Sequence, residues 1–355
     1  MLQKMNKNRP NNHFIKDATS PYTFTYIQYG VPKSITVNQS ANEDTWPGGA
    51  LWDIGVLMAK LLVMVQSPSS CISSNARSDN KNNKIKGNLL PSPPKRLIEP
   101  GIWGTHASWK EKRILELGCG VGLTGLVAAS LGARAVLLTD LEVVISQITE
   151  PNVLSYLSQT MKKKKMQSTQ SNLNTKVLAQ TLCWGNKNDE MDIVNTLDLM
   201  APPFTPSKLS SHNRQKKQHR KKATTKKIPS SSENSLNSQN SSPNNDIKNP
   251  NRHGIPDIII IGDVAYQHKP GAPSHFDALL STTLQFADES TLLFFGTRMR
   301  MPASADLLDM FRQHFDEIIN PPIEAHEIDS VFESDSLNGR KHNITMHIMR
   351  KKIKK

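Results

Sequence analysis

The stretch Arg113–Asp140, RILELGCGVGLTGLVAASLGARAVLLTD, decides the fold of this 355-residue chain. The short, mainly apolar run Ile114–Leu117 stops at a glycine-rich turn, and the Ala/Leu-rich run Leu123–Leu131 then has the length of a helix. A second apolar run ends at Asp140. Strand, glycine turn, helix and strand form the opening unit of an open α/β sheet, in which ligands bind beyond the carboxyl ends of the strands.

Further periodic segments extend this pattern on both sides. Tyr22–Val37 alternates aromatic or β-branched residues with polar ones, which predicts a β-hairpin. Apolar residues from Ala50 to Val65 recur at helical spacing and predict an amphipathic helix. Beyond the opening unit, the sequence predicts strands at 177–184, 257–261, 291–295 and 343–349 and helices at 276–286 and 305–315. The predicted fold class is therefore α/β, with a mostly parallel sheet and helices on both faces.

Three polar segments interrupt these elements, at residues 67–94, 159–175 and 186–254. They are rich in polar residues and hold too few apolar ones to order themselves, so we predict disordered inserts. Residues 1–20 are predicted to form a flexible arm. Residues 21–355 are predicted to form a single domain of roughly 230 residues once the inserts are removed.

The formal charge of +13 belongs to two of these inserts. Lys162–Lys165 supplies four positive charges, and Ser207–Lys227 supplies nine more and no acid. The rest of the chain is close to neutral, and no aromatic residue lies between Phe204 and Tyr266 to stack on bases, so nucleic-acid binding is the least expected role of the basic charge. Residues 207–227 leave three alternatives open: a nuclear-import signal, a nucleic-acid tether or a solubilising loop.

The cysteines and the apolar stretches indicate the compartment. The three cysteines (Cys71, Cys119 and Cys183) cannot form a disulfide framework and lack zinc spacing, so no metal is expected. The polar N-terminus does not resemble a signal peptide. The most apolar helical stretch, residues 51–65, is too short to span a bilayer. We expect a soluble, monomeric cytoplasmic protein without membrane partners, present also in the nucleus if the basic insert is an import signal.

The glycine turn is compatible with two classes of cofactor. Residues 120–125 match G-x-G-x-x-G, and Asp140 lies 20 residues beyond the first of these glycines, as in dinucleotide-binding dehydrogenases. Glu116 precedes the turn, where an acid would repel a pyrophosphate but suits a cofactor that carries positive charge. S-adenosylmethionine is such a cofactor, and Asp140 could accept hydrogen bonds from both of its ribose hydroxyls.

The stretch ELGCGVGLTG followed by LLTD resembles motif I and the next acidic strand end of the seven-strand class I methyltransferases. Four more segments are similar, in the same order, to motifs of the small protein-lysine methyltransferases, methyltransferase family 16: Ala50-Leu-Trp52-Asp53, Leu182-Cys183-Trp184-Gly185, Gly262-Asp263-Val-Ala-Tyr266 and Gly296-Thr-Arg298-Met-Arg300. The resemblance implies a Rossmann-like sheet of seven strands, S-adenosylmethionine as the cofactor, and a lysine side chain of a protein as the methyl acceptor.

The predicted cofactor-binding residues lie in or beside these motifs: Trp52, Glu116, Gly118, Cys119, Gly120, Asp140, Trp184 and Gly262. The resemblance implies that Trp52 lines the pocket near the amino acid end of the cofactor and that Trp184 covers the adenine. The first glycines let the backbone approach the cofactor, and Asp140 holds the ribose. At Cys183 relatives commonly carry an acid, so this chain departs from the family beside the adenine.

The predicted catalytic residues are Asp263 and Tyr266, which lie three residues apart just past a strand end. We expect Asp263 to orient the substrate amine, directly or through a water, and Tyr266 to line the channel. Arg298 and Arg300 are expected to hold structure or substrate acids. The alternatives are that Asp263 caps the following segment and that Tyr266 packs in the core.

The functional alternatives are a methyltransferase acting on another protein nucleophile or a small molecule, and a cofactor-binding interaction module without turnover. A dehydrogenase is a more distant alternative.

Overall fold

A computed structural model describes most of the predicted elements, over residues 18, 20–28, 31–40, 42, 44–45, 47–66, 109, 112–166, 175–200, 253–264, 275–299, 302–329 and 343–353. These residues all belong to one unit, formed by residues 1–202 and 253–355, while a second unit, residues 203–252, lies outside the described ranges. The remaining parts of the predicted arm and inserts, including residues 67–94, also lie outside them.

The N-terminal elements are the predicted hairpin and helix. Strands β1 (Tyr22–Gln28) and β2 (Val31–Val37) pair antiparallel, and their alternating apolar residues are buried. Helix α1 (Asp53–Gln66) follows, and within it only Gly55 is less than fully buried among the residues with a described side chain. A helix that is apolar on nearly every side belongs in the core. Here α1 packs against β7 and against the helix that follows the glycine turn.

The central sheet confirms the predicted α/β class. Its strands are β3 (Arg113–Leu117), β4 (Ala135–Asp140), β5 (Lys176–Thr181), β6 (Ile258–Gly262), β7 (Leu292–Arg298), β8 (Phe315–Glu317), β9 (Ile323–Glu324) and β10 (Ile344–Lys351). The parallel strands run in the order β5-β4-β3-β6-β7, and β10 continues the sheet antiparallel to β7. Strands β3, β6 and β7 are buried on both faces, which explains why their sequences are continuous apolar runs.

Helices cover both faces of the sheet. The remaining helices are α2 (Leu123–Ser130), α3 (Glu142–Val144), α4 (Glu150–Met166), α5 (Lys187–Met200), α6 (Phe276–Phe286), α7 (Pro302–His314) and α8 (Ala325–Asp329), and a π-helical turn, Ile145–Thr149, joins α3 to α4. Alternate residues of the strands enter two apolar cores, one with α1, α2 and α4 and the other with α5, α6 and α7. No helix in the described ranges is both long and apolar enough to cross a membrane.

The structure differs from the sequence prediction in three places. Helix α4 continues to Met166 and α5 occupies Lys187–Met200, so parts of the second and third predicted inserts are helical. Helix α5 is anchored by Ile193, Leu197 and Met200, whose spacing is hidden among charged residues. The described sheet has eight strands rather than the seven expected. Strands β8 and β9 were not predicted, because each is too short to show a periodic pattern. Strand β5 ends before Leu182, so Trp184 lies on a loop.

An ion pair buried in the core connects α1 to α8. Nζ of Lys60 lies 2.8 Å from Oδ1 of Asp329, and both side chains are 0% exposed. Removing one member of such a pair leaves a charge in an apolar environment, which is far more costly than losing an exposed pair. The pair therefore holds the C-terminal end of α8 close to α1.

We expect the variant Asp329→Ala to lose about 3–5 kcal/mol of unfolding free energy in urea titrations, because Lys60 is left buried without its carboxylate. The double variant Lys60→Met/Asp329→Leu should recover most of this loss. Asp309→Ala is the matched control, since its 70% exposed carboxylate makes a 3.3 Å surface pair with Arg312. That control should change stability by less than about 1 kcal/mol. Equal losses in the two single variants would contradict this account.

Candidate active site

The described site residues lie at one edge of the sheet because they follow the carboxyl ends of neighbouring parallel strands. Gly118 follows β3, Asp140 ends β4, Trp184 lies on the loop after β5, and Asp263 follows β6. The order β5-β4-β3-β6 places these strand ends side by side. This is the edge at which open α/β sheets bind ligands.

The glycine turn after β3 requires glycine for two reasons. Gly118 and Gly120 have φ values of 70° and 52°, in the left-handed region that glycine adopts without strain. A Cβ atom on Gly120 would lie 3.0 Å from the carbonyl oxygen of Gly48, and one on Gly118 would lie 3.2 Å from Cζ2 of Trp184. Glycine is therefore required here by the packing of the protein itself, because a side chain would meet Gly48 or Trp184.

Asp140 fixes this turn from the end of β4. Its Oδ2 accepts a hydrogen bond from the Gly120 amide over 2.8 Å, and its Oδ1 accepts one from the Leu141 amide over 2.8 Å. Burial raises the pKa of Asp140, and the two backbone hydrogen bonds oppose that shift. Each carboxylate oxygen has a second lone pair, so both can still accept a hydrogen bond from a ribose hydroxyl.

Glu116 lies beneath the turn and bonds to the N-terminus of α2. Its Oε2 accepts a hydrogen bond from the Gly125 amide over 2.8 Å. Burial raises the pKa of Glu116 to about 8, against the hydrogen bonds from Gly125 and Thr124. At neutral pH the group is thus mostly protonated, and the predicted charge repulsion toward a pyrophosphate is weaker than the sequence suggested. Instead, Glu116 accepts the hydrogen bond of one amide at the N-terminus of α2, the kind of group that binds a phosphate.

The thiol of Cys119 is not a reactive group of the site. Its amide donates to the Thr139 carbonyl over 3.0 Å, and its thiol is buried 3.7 Å from Oγ1 of Thr149. Burial raises the pKa of the thiol well above its usual value, so it remains protonated. A cofactor contact by Cys119 would therefore involve its backbone.

The start of α1 reaches the same edge of the sheet. Nε1 of Trp52 donates to the Pro47 carbonyl over 3.1 Å. The next residue, Asp53, forms a 2.8 Å ion pair with Arg298 at the end of β7, and the two side chains are 0% and 4% exposed. This pair connects two of the sequence motifs directly. Arg298 thus has the structural role that was one of its two predicted roles, while Arg300 lies outside the described residues.

Beyond β6, Gly262 and Asp263 lie between α1 and β7. A Cβ on Gly262 would be in ordinary contact with Ile54, 3.4 Å away. Asp263 has a left-handed backbone with φ of 49°, and its amide donates to the Gly296 carbonyl over 3.0 Å. This bond fixes Asp263 at the edge of the sheet. The second predicted catalytic residue, Tyr266, lies outside the described residues, so its role stays a prediction.

Several buried polar residues that the sequence analysis missed hold the site together. Oγ1 of Thr149 donates to the Gly120 carbonyl over 2.7 Å. Nδ2 of Asn152 donates to the Val121 carbonyl over 3.0 Å and to the Asn38 carbonyl over 3.1 Å, which ties the glycine turn to the hairpin. Both follow the motif acid Asp140 within one helical segment. Thr149 and Asn152 are buried by residues distant in sequence, so the local sequence pattern does not indicate their role.

A model of the lysine methyltransferase family matches residues 32–201 of the chain. The matched segment includes α1, the glycine turn, Asp140 and Trp184, and it ends before Asp263. The match agrees with the family predicted from the sequence motifs and with S-adenosylmethionine as its cofactor. No curated protein matches the chain.

Solved structures with a similar fold include several described as methyltransferases. A proposed S-adenosylmethionine-dependent methyltransferase from Streptococcus mutans aligns at 11% identity with a TM-score of 0.40, over 92% of this chain and 55% of that one. The proposed methyltransferase SMU.776, solved with S-adenosylhomocysteine, aligns at 12% identity with a TM-score of 0.39, over 92% and 56%. A proposed RNA methyltransferase from Pyrococcus horikoshii aligns at 12% identity with a TM-score of 0.32, over 83% and 98%. The chain spans little more than half the length of the first two.

The buried carboxyl of Glu116 predicts a pH dependence of stability. Between its ordinary pKa of 4.5 and its folded pKa of about 8, the folded protein holds a proton that the unfolded chain has released. Stability should therefore fall as pH rises through this window, by up to about 1.4 kcal/mol per pH unit from this group.

Urea unfolding of wild type and Glu116→Gln at several pH values measures this slope. Glutamine does not titrate but can still accept the Gly125 hydrogen bond, so we expect a flatter dependence in the variant. Glu142→Gln, at an exposed position on α3, is the control and should follow wild type. Parallel curves for wild type and Glu116→Gln would contradict the raised pKa.

Proposed function

We propose that this chain, which matches the lysine methyltransferase family over residues 32–201, transfers methyl groups from S-adenosylmethionine to a lysine side chain of a protein substrate. The observation that supports this most is the arrangement of Asp140, Trp184 and Asp263 around the bare glycine turn at one edge of the sheet. Together they would provide a ribose acceptor, an adenine cover and a polar group beside the cofactor.

The described residues fit S-adenosylmethionine on three grounds. Gly118 and Gly120 place backbone without side chains at the ligand edge of the sheet. Asp140 keeps acceptor capacity at the end of β4 for the ribose. The ring of Trp184 covers Gly118 and offers a flat apolar surface to a base.

When bound, the cofactor supplies a methyl group on a sulfonium for in-line transfer to a nucleophile. The task of the protein is to present a neutral amine in the correct orientation, although a lysine in water has a pKa of about 10.4. A pocket of low polarity lowers that pKa. We assign the orientation of the amine to Asp263, whose backbone is fixed by its hydrogen bond to Gly296.

The competing dehydrogenase function is disfavoured by the position of Glu116. In dinucleotide-binding folds the pyrophosphate takes the free amides at the N-terminus of the helix after the glycine turn. Here Glu116 already accepts the hydrogen bond of one such amide, that of Gly125. A dinucleotide would have to displace a buried carboxyl that is also hydrogen-bonded to Thr124.

The direct test is to incubate the protein with methyl-labelled S-adenosylmethionine and a lysate from cells that lack it, and then to locate the label by mass spectrometry. We expect the label on lysine side chains of a protein. Label on another amino acid or on a small molecule would reject the lysine assignment. The absence of any label, in a protein that binds S-adenosylhomocysteine, would favour an interaction module without turnover.

Asp140→Ala should weaken the binding of S-adenosylhomocysteine about 10- to 100-fold in calorimetric titrations, because the ribose loses a charged acceptor and the Gly120 amide its partner. Glu142→Ala is the matched control, since that carboxylate lies two residues away on the exposed side of α3. An Asp140→Ala protein that keeps both its fold and its full affinity would exclude the ribose role.

Asp263→Asn should lower turnover by about 100-fold or more while the affinity for S-adenosylhomocysteine changes little. Asparagine tolerates the left-handed backbone of this position, so the change tests the carboxylate rather than the fold. Asp277→Asn, an exposed site on α6, is the control and should retain full turnover. Wild-type turnover in Asp263→Asn would mean that Asp263 is not catalytic.

A further inference from the structure

A chain of hydrogen bonds connects the turn after Trp184 to a buried acid in α5. The Gly185 amide donates to Oγ1 of Thr282 over 2.8 Å, and that hydroxyl donates to Oε1 of Glu190 over 2.7 Å. A hydroxyl has a single proton, so its donation to the carboxylate leaves the oxygen free to accept from Gly185. The direction of both bonds is thereby fixed, and Glu190 determines where the turn can lie.

Burying these hydrogen-bonded polar groups costs more free energy than filling the same space with apolar side chains would. Glu190 and Thr282 are 3% and 0% exposed. The second carboxylate oxygen of Glu190 lies 2.6 Å from Nζ of Lys187, whose side chain is 66% exposed, so a solvated cation compensates part of the charge. An apolar residue at position 190 would serve packing at lower cost. An acid that reaches the Trp184 turn instead indicates a positioning role.

A second anchor holds the other side of Trp184. The Cys183 amide donates to Oδ2 of Asp189 over 2.8 Å, and the Cys183 carbonyl accepts a hydrogen bond from the Asn186 amide over 3.0 Å. Oδ1 of Asn186 accepts a hydrogen bond from the Asn188 amide over 3.0 Å and so caps α5. The residues before and after Trp184 are thus tied to two consecutive acids of one helical turn.

We propose that Asp189 and Glu190 are positioning residues that fix Trp184 over Gly118 and thereby set the affinity for the adenosine part of the cofactor, an assignment that rests on the proposed function. Cζ2 of Trp184 lies only 3.2 Å from where a Cβ of Gly118 would be, so a small shift of the turn changes the space above that glycine. The effect should appear in cofactor binding and leave the methyl-transfer step unaltered.

The test compares Thr282→Val, which keeps the shape but removes the hydroxyl, with Thr282→Ser, which keeps the hydroxyl. For Thr282→Val we expect the Kd for S-adenosylhomocysteine and the KM for S-adenosylmethionine to rise about 10-fold, with kcat within about two-fold of wild type. Thr282→Ser should restore near wild-type binding. Asp192→Asn, on the exposed side of α5, is the control and should match wild type.

The outcomes separate this assignment from the proposed function. Equal binding by folded Thr282→Val and wild type, or a loss confined to kcat, overturns the positioning role while leaving the methyltransferase intact. If Thr282→Val does not fold, Asp189→Ala decides at a more exposed position: weaker binding supports the assignment, and unchanged binding overturns it. A wild-type protein that does not bind S-adenosylhomocysteine overturns the proposed function, and this assignment with it.

Discussion

The whole candidate site depends on the glycine turn after β3, which is held mainly by hydrogen bonds from other parts of the chain. Within residues 118–122 the Gly122 amide donates to the Cys119 carbonyl over 2.9 Å, and the other hydrogen bonds that fix the turn come from elsewhere in the chain. Asp140 holds the Gly120 amide, Thr149 holds the Gly120 carbonyl, and Asn152 holds the Val121 carbonyl. The entropy cost of ordering a glycine-rich segment is thus met during folding, before any ligand arrives.

The N-terminal elements are connected to the same edge of the sheet. The start of helix α1 is held at the ligand edge by the buried ion pair between Asp53 and Arg298, which are far apart in sequence. The hairpin is connected to the turn through the amide of Asn152, which also binds the Asn38 carbonyl. A change in the hairpin or in α1 can therefore alter cofactor binding without contacting the cofactor.

The sequence predicted what hydrophobic patterning and local motifs encode. Strands buried on both faces appear as uninterrupted apolar runs, which is why β6 and β7 were found within a few residues of their true bounds. Helix α5 was missed because buried Glu190 reads as a surface residue in a polar segment until Thr282, its distant partner, is known. The support of Trp184 by α5 was invisible for the same reason, since it depends on tertiary hydrogen bonds.

Glu116 disfavours a pyrophosphate at the glycine turn, but through its hydrogen bond rather than through its charge. The sequence argument used its negative charge, yet burial raises its pKa to about 8 and leaves it mostly neutral at pH 7. The exclusion of a pyrophosphate survives because a neutral carboxyl still accepts the Gly125 hydrogen bond through its carbonyl oxygen. Protonation of Glu116 removes its charge, but it does not remove this hydrogen bond at the N-terminus of α2. Discrimination between the two cofactor classes should therefore persist below pH 8, where an electrostatic mechanism would fade.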